Sequence, residues 1–547
     1  MSDKPKHYRC CDDFPDCEYA RTGKLIRIEA GQEFVCPYSR PNCAERAIAV
    51  KPTVFPPWLL GTCAAVAALM LAWMMWPKTP EQPGPKTSGT KTLPGKTVLA
   101  TPTPTPVPVV APTPPPEVAA RTILRLQAPE AVSSDLLAGL VEAFLRKEGL
   151  VGVETKIGAT RTRIVRGQRP GASEQEAVEI KSAREQDAFS RLAKGECEFA
   201  VSFRPPTAEE EARMAGVVDV NSPACAHVLA LDAPAIIVQQ GHAVKSLTTA
   251  QLEAIWKAQT DNWSGLGGAN APIQLHLLDD ASPQSELFPA FLREHLVTRG
   301  RIHRHDTPKA LTDAVAGAPD AIGVVPMRYV PPASALAIKP SDEAQSLIPS
   351  AFSVATEDYT FSRRILLYNA SRHGPAVSQF LRFIASTEGQ DTVAKLGYAD
   401  QNLRPRAEKL PDIYKRALPP WIVQGLTGAQ RLSVNFRFAK SSSVLDVKAA
   451  ADIERVAPRF AEQDFRGKQV LLAGFADSRG GDAINIPLSQ DRSRSVSSEL
   501  QKRGVPVAAA IGLGSQLPVA PNTDETGWEK NRRVEIWLLD VSTPPPR

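Results

Sequence analysis

The sequence predicts a multidomain protein with a small cysteine-rich head, a single transmembrane helix and, beyond it, two α/β domains. Three observations carry that prediction. Residues 58–76, WLLGTCAAVAALMLAWMMW, form one apolar run without Asp, Glu, Lys, Arg or His. Five of the eight cysteines precede the run, Cys63 lies within it, and only Cys197 and Cys225 follow. After a proline-rich stretch, strand-like and helix-like apolar patterns alternate towards the C-terminus, the rhythm of α/β domains.

The head, residues 1–54, contains an internal repeat. YRCCDDFPDCEYA and FVCPYSRPNCAER each place six residues between two cysteines, with Pro-Asp or Pro-Asn before the second. The repeat selects Cys10, Cys17, Cys36 and Cys43 as four ligands for a structural zinc ion, with Cys11 as a spare or an alternative to Cys10. Four thiolates can enclose a tetrahedral ion, and a head this small has too little core to fold without such a staple. Two cysteine turns with a strand pair between them (KLIRIEA, QEFVC) resemble a zinc ribbon, although the spacing exceeds the usual CxxC knuckle. Structural thiols or disulfides are the alternative reading.

Residues 55–77 read as the membrane span. A helix needs roughly 20 apolar residues to cross a bilayer core of about 30 Å. Trp58, Trp73 and Trp76 sit at the ends, where indole rings favour the headgroup level, and Pro56, Pro57 and Pro77 bracket the segment. A cleaved signal peptide would lie at the very start of the chain. Flanking charges do not orient the span. The crowded cysteines suit a reducing compartment and place the head in the cytoplasm. Residues 78–118 are a Pro/Thr-rich linker in which proline fixes an extended backbone.

Residues 119–402 follow the α/β rhythm with mainly parallel strands expected, and a late return to the first lobe near ILLYNAS suggests two lobes. The run HVLALDAPAIIVQQGHAVKSLTTAQLEAIWKAQTDNWSGLGG, with AIGVVPMRYV and FSRRILLYNA further on, resembles the phosphate-binding proteins of ABC transporters. That resemblance implies a bilobed periplasmic-binding-protein-like fold and an oxyanion ligand held by loop hydroxyls and an arginine. Carried over position by position, the implied ligand residues are Ser133, Ser134, Ser202, Arg204 and Ser282. The third loop departs from the family pattern: Leu278-Asp279 stands where the family has Arg-Asp, and Pro283-Gln284 where it has Gly-Thr. Phosphate, another small ligand, or a domain kept for protein docking all remain open at this point. His303 and His305 share one strand face but lack a third ligand, and Cys197 with Cys225 are candidates for a disulfide.

After a linker at 403–426, residues 427–540 contain GFADSRG, LSQDRS, GLG and NRRVEI in that order. This order resembles the OmpA-like peptidoglycan-binding domain. The resemblance implies binding of the diaminopimelate in the peptidoglycan stem, a zwitterion that calls for a carboxylate and a guanidinium. By motif position these are Asp477 and Arg492, with Asn485 and Ser489 shaping the pocket. Arg532 and Arg533 belong to the last motif, and at least one is expected to support the fold.

Composition narrows the function. With 43% hydrophobic and 22% charged residues the chain is ordinary globular material, and a net charge of +5 over 547 residues makes no case for nucleic acid. No nucleophile-base or acid-base constellation stands at catalytic spacing, so no enzyme activity is expected. An ion-driven stator would need a titratable carboxylate in the span, and there is none. The expectation is an inner-membrane protein of a diderm bacterium, with its C-terminal domains in the periplasm, that attaches to peptidoglycan. Its middle domain serves either as a receptor for phosphate or another oxyanion, or as a scaffold.

Overall fold

The computed structural model describes residues 120–541 apart from 159–160, 281, 288–301, 343 and 439–443, together with the backbone of three short strands near the N-terminus. Those strands, Lys6–Arg9, Ile26–Ile28 and Ile48–Val50, form an antiparallel sheet with Lys6–Arg9 in the centre. Ile26–Ile28 falls within the expected KLIRIEA strand. The QEFVC strand, the four zinc-ligand cysteines and the span at 55–77 lie outside the described residues. Among the described residues no helix is long and apolar enough to cross a membrane.

The middle of the chain builds two lobes. In the first, seven strands pair in the order 151–157, 162–168, 175–182, 120–128, 199–202, 363–369, 226–232. Leu124, Leu126, Val178, Ile180, Phe199 and Val201 point from it into a core shared with Phe144 and Phe380. The second lobe has five strands in the order 302–305, 274–278, 321–326, 234–238, 334–335. Ala226–Asp232 leads straight into Pro234–Val238 and so carries the chain from one lobe to the other, and Arg363–Asn369 brings it back. The sheets are mixed rather than mainly parallel. In the first sheet only the two pairings of Ala120–Ala128 are parallel; the returning strand Arg363–Asn369 is antiparallel to both neighbours, and 151–182 is a meander.

That strand order also removes the expected disulfide. Cys197 and Cys225 lead into Phe199–Ser202 and Ala226–Asp232, and Arg363–Asn369 lies between those strands. Two strand spacings are about 9–10 Å, beyond the 4.4–6.8 Å that a disulfide spans between Cα atoms. Both thiols are free and buried. Burial, helped by the Glu198 charge, pushes the Cys197 thiol up to about 12. Peptide mapping after iodoacetamide treatment should find Cys197 and Cys225 unmodified in the native protein and alkylated after unfolding in guanidinium.

The C-terminal domain is a five-stranded sheet in the order 405–407, 426–437, 533–541, 469–474, 507–512. The helices Val447–Arg459 and Asp482–Gln501 cover it through Ile453, Val456, Val496 and Leu500. At Gly474 a Cβ would overlap the Ser489 carbonyl, and at Gly512 it would come within 2.5 Å of the Gln490 nitrogen. The two glycines let the Asp482–Gln501 helix settle onto the sheet, which brings Ser489 and Arg492 beside the end of strand Gln469–Gly474. Residues 403–426, expected as a linker, are part of this domain. Pro405–Ala407 is an edge strand, and Leu410, Tyr414, Leu418 and Ile422 are buried against Trp537 and Phe475.

The bilobed and C-terminal domains form one compact unit, joined by buried charge. Glu357, at a left-handed φ of 59°, sits between Arg364 (2.6 Å) and Arg437 (2.6 Å), and Arg364 also reaches Asp446 at 2.8 Å. Arg431 pairs with Asp358 at 2.7 Å. From the helix Glu525–Asn531, Lys530 donates to the carbonyls of Thr360 (2.6 Å) and Ser362 (2.8 Å).

Candidate functional site

The C-terminal site lies where strand Gln469–Gly474 ends and the helix Asp482–Gln501 begins. Asp477 is 7% exposed and its carboxylate accepts four hydrogen bonds: from Arg479 N (3.0 Å), Arg479 Nε (3.1 Å), Arg479 Nη2 (3.0 Å) and Arg532 Nη1 (3.1 Å). Burial alone would raise its pKa, but the bonds from Arg479 and Arg532 outweigh it and hold the group below the usual carboxylate range. Arg532 is fixed in turn by Glu525 at 2.9 Å.

Arg492 is the group without a match. It is 3% exposed, its Nε has no hydrogen-bond partner, and Nη1 reaches only the Phe475 carbonyl at 3.5 Å. No carboxylate pairs with it among the described residues. Its guanidinium lies 5.5 Å from the Phe438 ring centre. Burial, then repulsion from Arg532, brings its pKa down to about 10, with Asp477 pulling the other way. A buried guanidinium with no carboxylate bonded to it is costly, and a ligand carboxylate would relieve that cost.

Asn485 and Ser489 shape the surroundings. Asn485 donates to the carbonyls of Asp477 (3.1 Å) and Gly480 (3.2 Å), and Ser489 Oγ accepts from Gly514 N at 2.9 Å. They clamp the two loops that flank Asp477 and Arg492. Arg533 faces inward to Glu535 at 2.8 Å, whereas Arg532 belongs to the pocket. Sequence reasoning missed Arg479, Glu525 and Trp528, over whose ring Arg479 lies at 4.3 Å.

The residues expected to hold an oxyanion in the bilobed domain do not converge. Ser202 Oγ accepts from Arg204 N (3.1 Å) and donates to Arg204 O (2.7 Å), closing a local turn. Arg204 itself is committed to Glu210 (2.6 and 2.9 Å) and Glu185 (3.0 Å). The Arg204 hydrogen bond is the main cause that lowers Glu210 to about 2. Ser282 donates to Gln284 at 3.2 Å, and Ser134 to the Glu130 carbonyl at 3.1 Å. Asp280 is turned outward to Arg304.

Ser133 is different, being fully buried and within 2.8 Å of the Ser182 hydroxyl. Arg163 donates to it at 3.2 Å. The two lobes are fastened near this point by Arg328, which pairs with Asp135 of the first lobe at 2.9 Å and stacks on Tyr398 at 4.4 Å. His303 and His305 do gain a third histidine, His276, whose Nδ1 is 3.0 Å from His305 Nε2. The rings stack at 4.7 and 5.1 Å. Burial, then the neighbouring histidines, lowers His276 to about 4. Among the described residues no group of three or more His, Cys, Asp or Glu side chains is arranged to hold a metal ion.

Comparison with known proteins agrees with this division. Residues 163–388 match the family described as PBP superfamily domain, and residues 437–532 match the OmpA family. The peptidoglycan-binding protein ArfA of Mycobacterium tuberculosis strain H37Rv is 46% identical over 70 residues, 12% of this chain and 22% of that protein. The match thus spans about a fifth of the relative's length. The peptidoglycan-associated lipoprotein of Pseudomonas putida is 33% identical over 110 residues, 20% of this chain and 64% of that protein. Similar solved structures include an ABC-type phosphate transport receptor from Vibrio cholerae, 19% identical with a TM-score of 0.38, over 50% of this chain and 98% of that one. The chain carries a PBP superfamily domain and, C-terminal to it, an OmpA family domain.

Proposed function

We propose that this protein is a non-catalytic envelope tether that grips the diaminopimelate of peptidoglycan in the Asp477–Arg492 pocket and holds a binding-protein-like domain close to the wall. The observation that carries this reading is the buried Arg492, unpaired and next to a carboxylate. A zwitterionic ligand would bring a carboxylate to Arg492 and an ammonium to Asp477. Arg479, which is 47% exposed, would leave Asp477 and keep Glu525 and the Trp528 ring as partners. The OmpA family match and the peptidoglycan-binding relative support the same reading.

The rest of the proposal follows the sequence. One span at 55–77 anchors the protein in the inner membrane, the N-terminus is cytoplasmic, the C-terminal domains are periplasmic, and Cys10, Cys17, Cys36 and Cys43 hold structural zinc. For the bilobed domain, the receptor reading would have it take phosphate or another small oxyanion. The fastened lobes and the commitment of Arg204 to Glu210 favour a docking scaffold instead.

The test is calorimetry of the detergent-solubilised full chain with diaminopimelate. Heat that disappears in Asp477→Ala supports the anchor. A silent wild-type protein, or an unchanged variant, removes it.

A further inference from the structure

In the first lobe, Arg163 and Ser182 converge on one carboxylate with Ser133 bridging them from behind, and that carboxylate is the chain's own, from Glu130. Arg163 Nη2 donates to Glu130 Oε1 at 2.5 Å, and the Ser182 hydroxyl donates to Glu130 Oε2. Arg163 Nη1 bridges to Ser133 Oγ at 3.2 Å, and Ser133 and Ser182 lie 2.8 Å apart. A second arginine, Arg161, adds its charge. One guanidinium nitrogen on one carboxylate oxygen and one hydroxyl on the other, with the Ser133 hydroxyl and the second guanidinium nitrogen close behind, form a donor set suited to a small oxyanion. The arrangement is reachable from solvent: Glu130 and Arg163 are each 15% exposed, and the short helix Glu130–Ser133 packs against the turn Pro283–Leu287 of the other lobe.

We propose that this cradle is an oxyanion site which the protein fills with Glu130, so that a free anion enters only when Glu130 is displaced. A tethered group competes at an effective concentration of about millimolar or more, so phosphate at lower concentration loses to it. Burial would raise the Glu130 carboxyl, but Arg163 and Ser182 outweigh it and hold it below the usual range, so the plug stays charged at neutral pH. The proposal rests on the binding-protein-like reading of this domain and is independent of the wall pocket.

The experiment is a thermal-shift and calorimetric titration of the full chain with inorganic phosphate. Wild-type protein should show no heat below about 1 mM, whereas Glu130→Ala should bind at least tenfold more tightly and gain melting temperature as phosphate rises. Adding Arg163→Ala to that variant should abolish the response. Glu130→Gln keeps the side chain's shape while losing its charge, and serves if alanine disturbs the fold. Equal responses of wild type and a folded Glu130 variant, whether both bind or both stay silent, overturn the proposal. Diaminopimelate heat measured on the same samples shows separately whether the Asp477–Arg492 reading stands.

Discussion

Arg492→Leu is expected to abolish diaminopimelate binding while leaving the melting temperature of the C-terminal domain unchanged or higher. The two effects separate because Arg492 is buried without a partner. Removing one side of a buried, hydrogen-bonded charge pair in a complex costs about 2–5 kcal/mol, or roughly thirtyfold to several thousandfold in affinity. In the free protein the same guanidinium carries a desolvation penalty that Asp477, already bonded to Arg479 and Arg532, offsets only in part, so an apolar side chain in its place is tolerated or stabilising. Calorimetry with diaminopimelate and differential scanning calorimetry on the same variant check both halves. Binding that persists would show that the guanidinium does not meet the ligand. A large fall in melting temperature would mean that its role is structural.

Glu357→Ala should uncouple the bilobed and C-terminal domains. Burial would raise this carboxyl, but Arg364 and Arg437, with a further contribution from Lys448, hold it far below the usual carboxylate range. Deleting it leaves the buried Arg437 guanidinium without its carboxylate and Arg364 with Asp446 alone, and breaking a buried pair in this way costs about 3–5 kcal/mol. Lys530 aggravates the loss: burial already lowers its pKa to about 8, and Glu357 is among the charges that support it. The expected result is that unfolding of residues 120–541, cooperative in the wild type, splits into two transitions in guanidinium. A single transition at the wild-type midpoint would show that the contact carries no weight. Two transitions already present in the wild type would show the same.

The placement of Asp477 and Arg492 on the fold was legible because both sit in short contiguous motifs: Asp477 lies in GFADSRG, just past the strand that ends at Gly474, and Arg492 lies one turn beyond Ser489 on a helix. Arg479 stood in the same motif, but nothing in its spacing said that it would fold back onto Asp477. Glu525 and Arg532 reach the pocket from a distant helix and its C-terminal end, a convergence that only the sheet order determines. In the first lobe the Glu130–Arg163 pair joins residues 33 apart across a helix and a strand, so linear spacing carried no sign of it, and Arg204 was misplaced because Glu185 and Glu210 draw it away. The folded segment after residue 403 could have been read: Leu410, Tyr414, Leu418 and Ile422 recur every four residues, the period of one helical face. The prolines at 411, 419 and 420 hid that period by cutting it into two short helices.

The seven-residue helix Glu525–Asn531 contributes Glu525 to Arg532 at the Asp477 pocket and Lys530 to the backbone of Thr360 and Ser362 in the neighbouring domain. Tension applied at that pocket is therefore handed to the bilobed domain within two turns of one rigid element, with no slack segment to absorb it. For a protein held at this point, the two domains would bear load together, as one mechanical body.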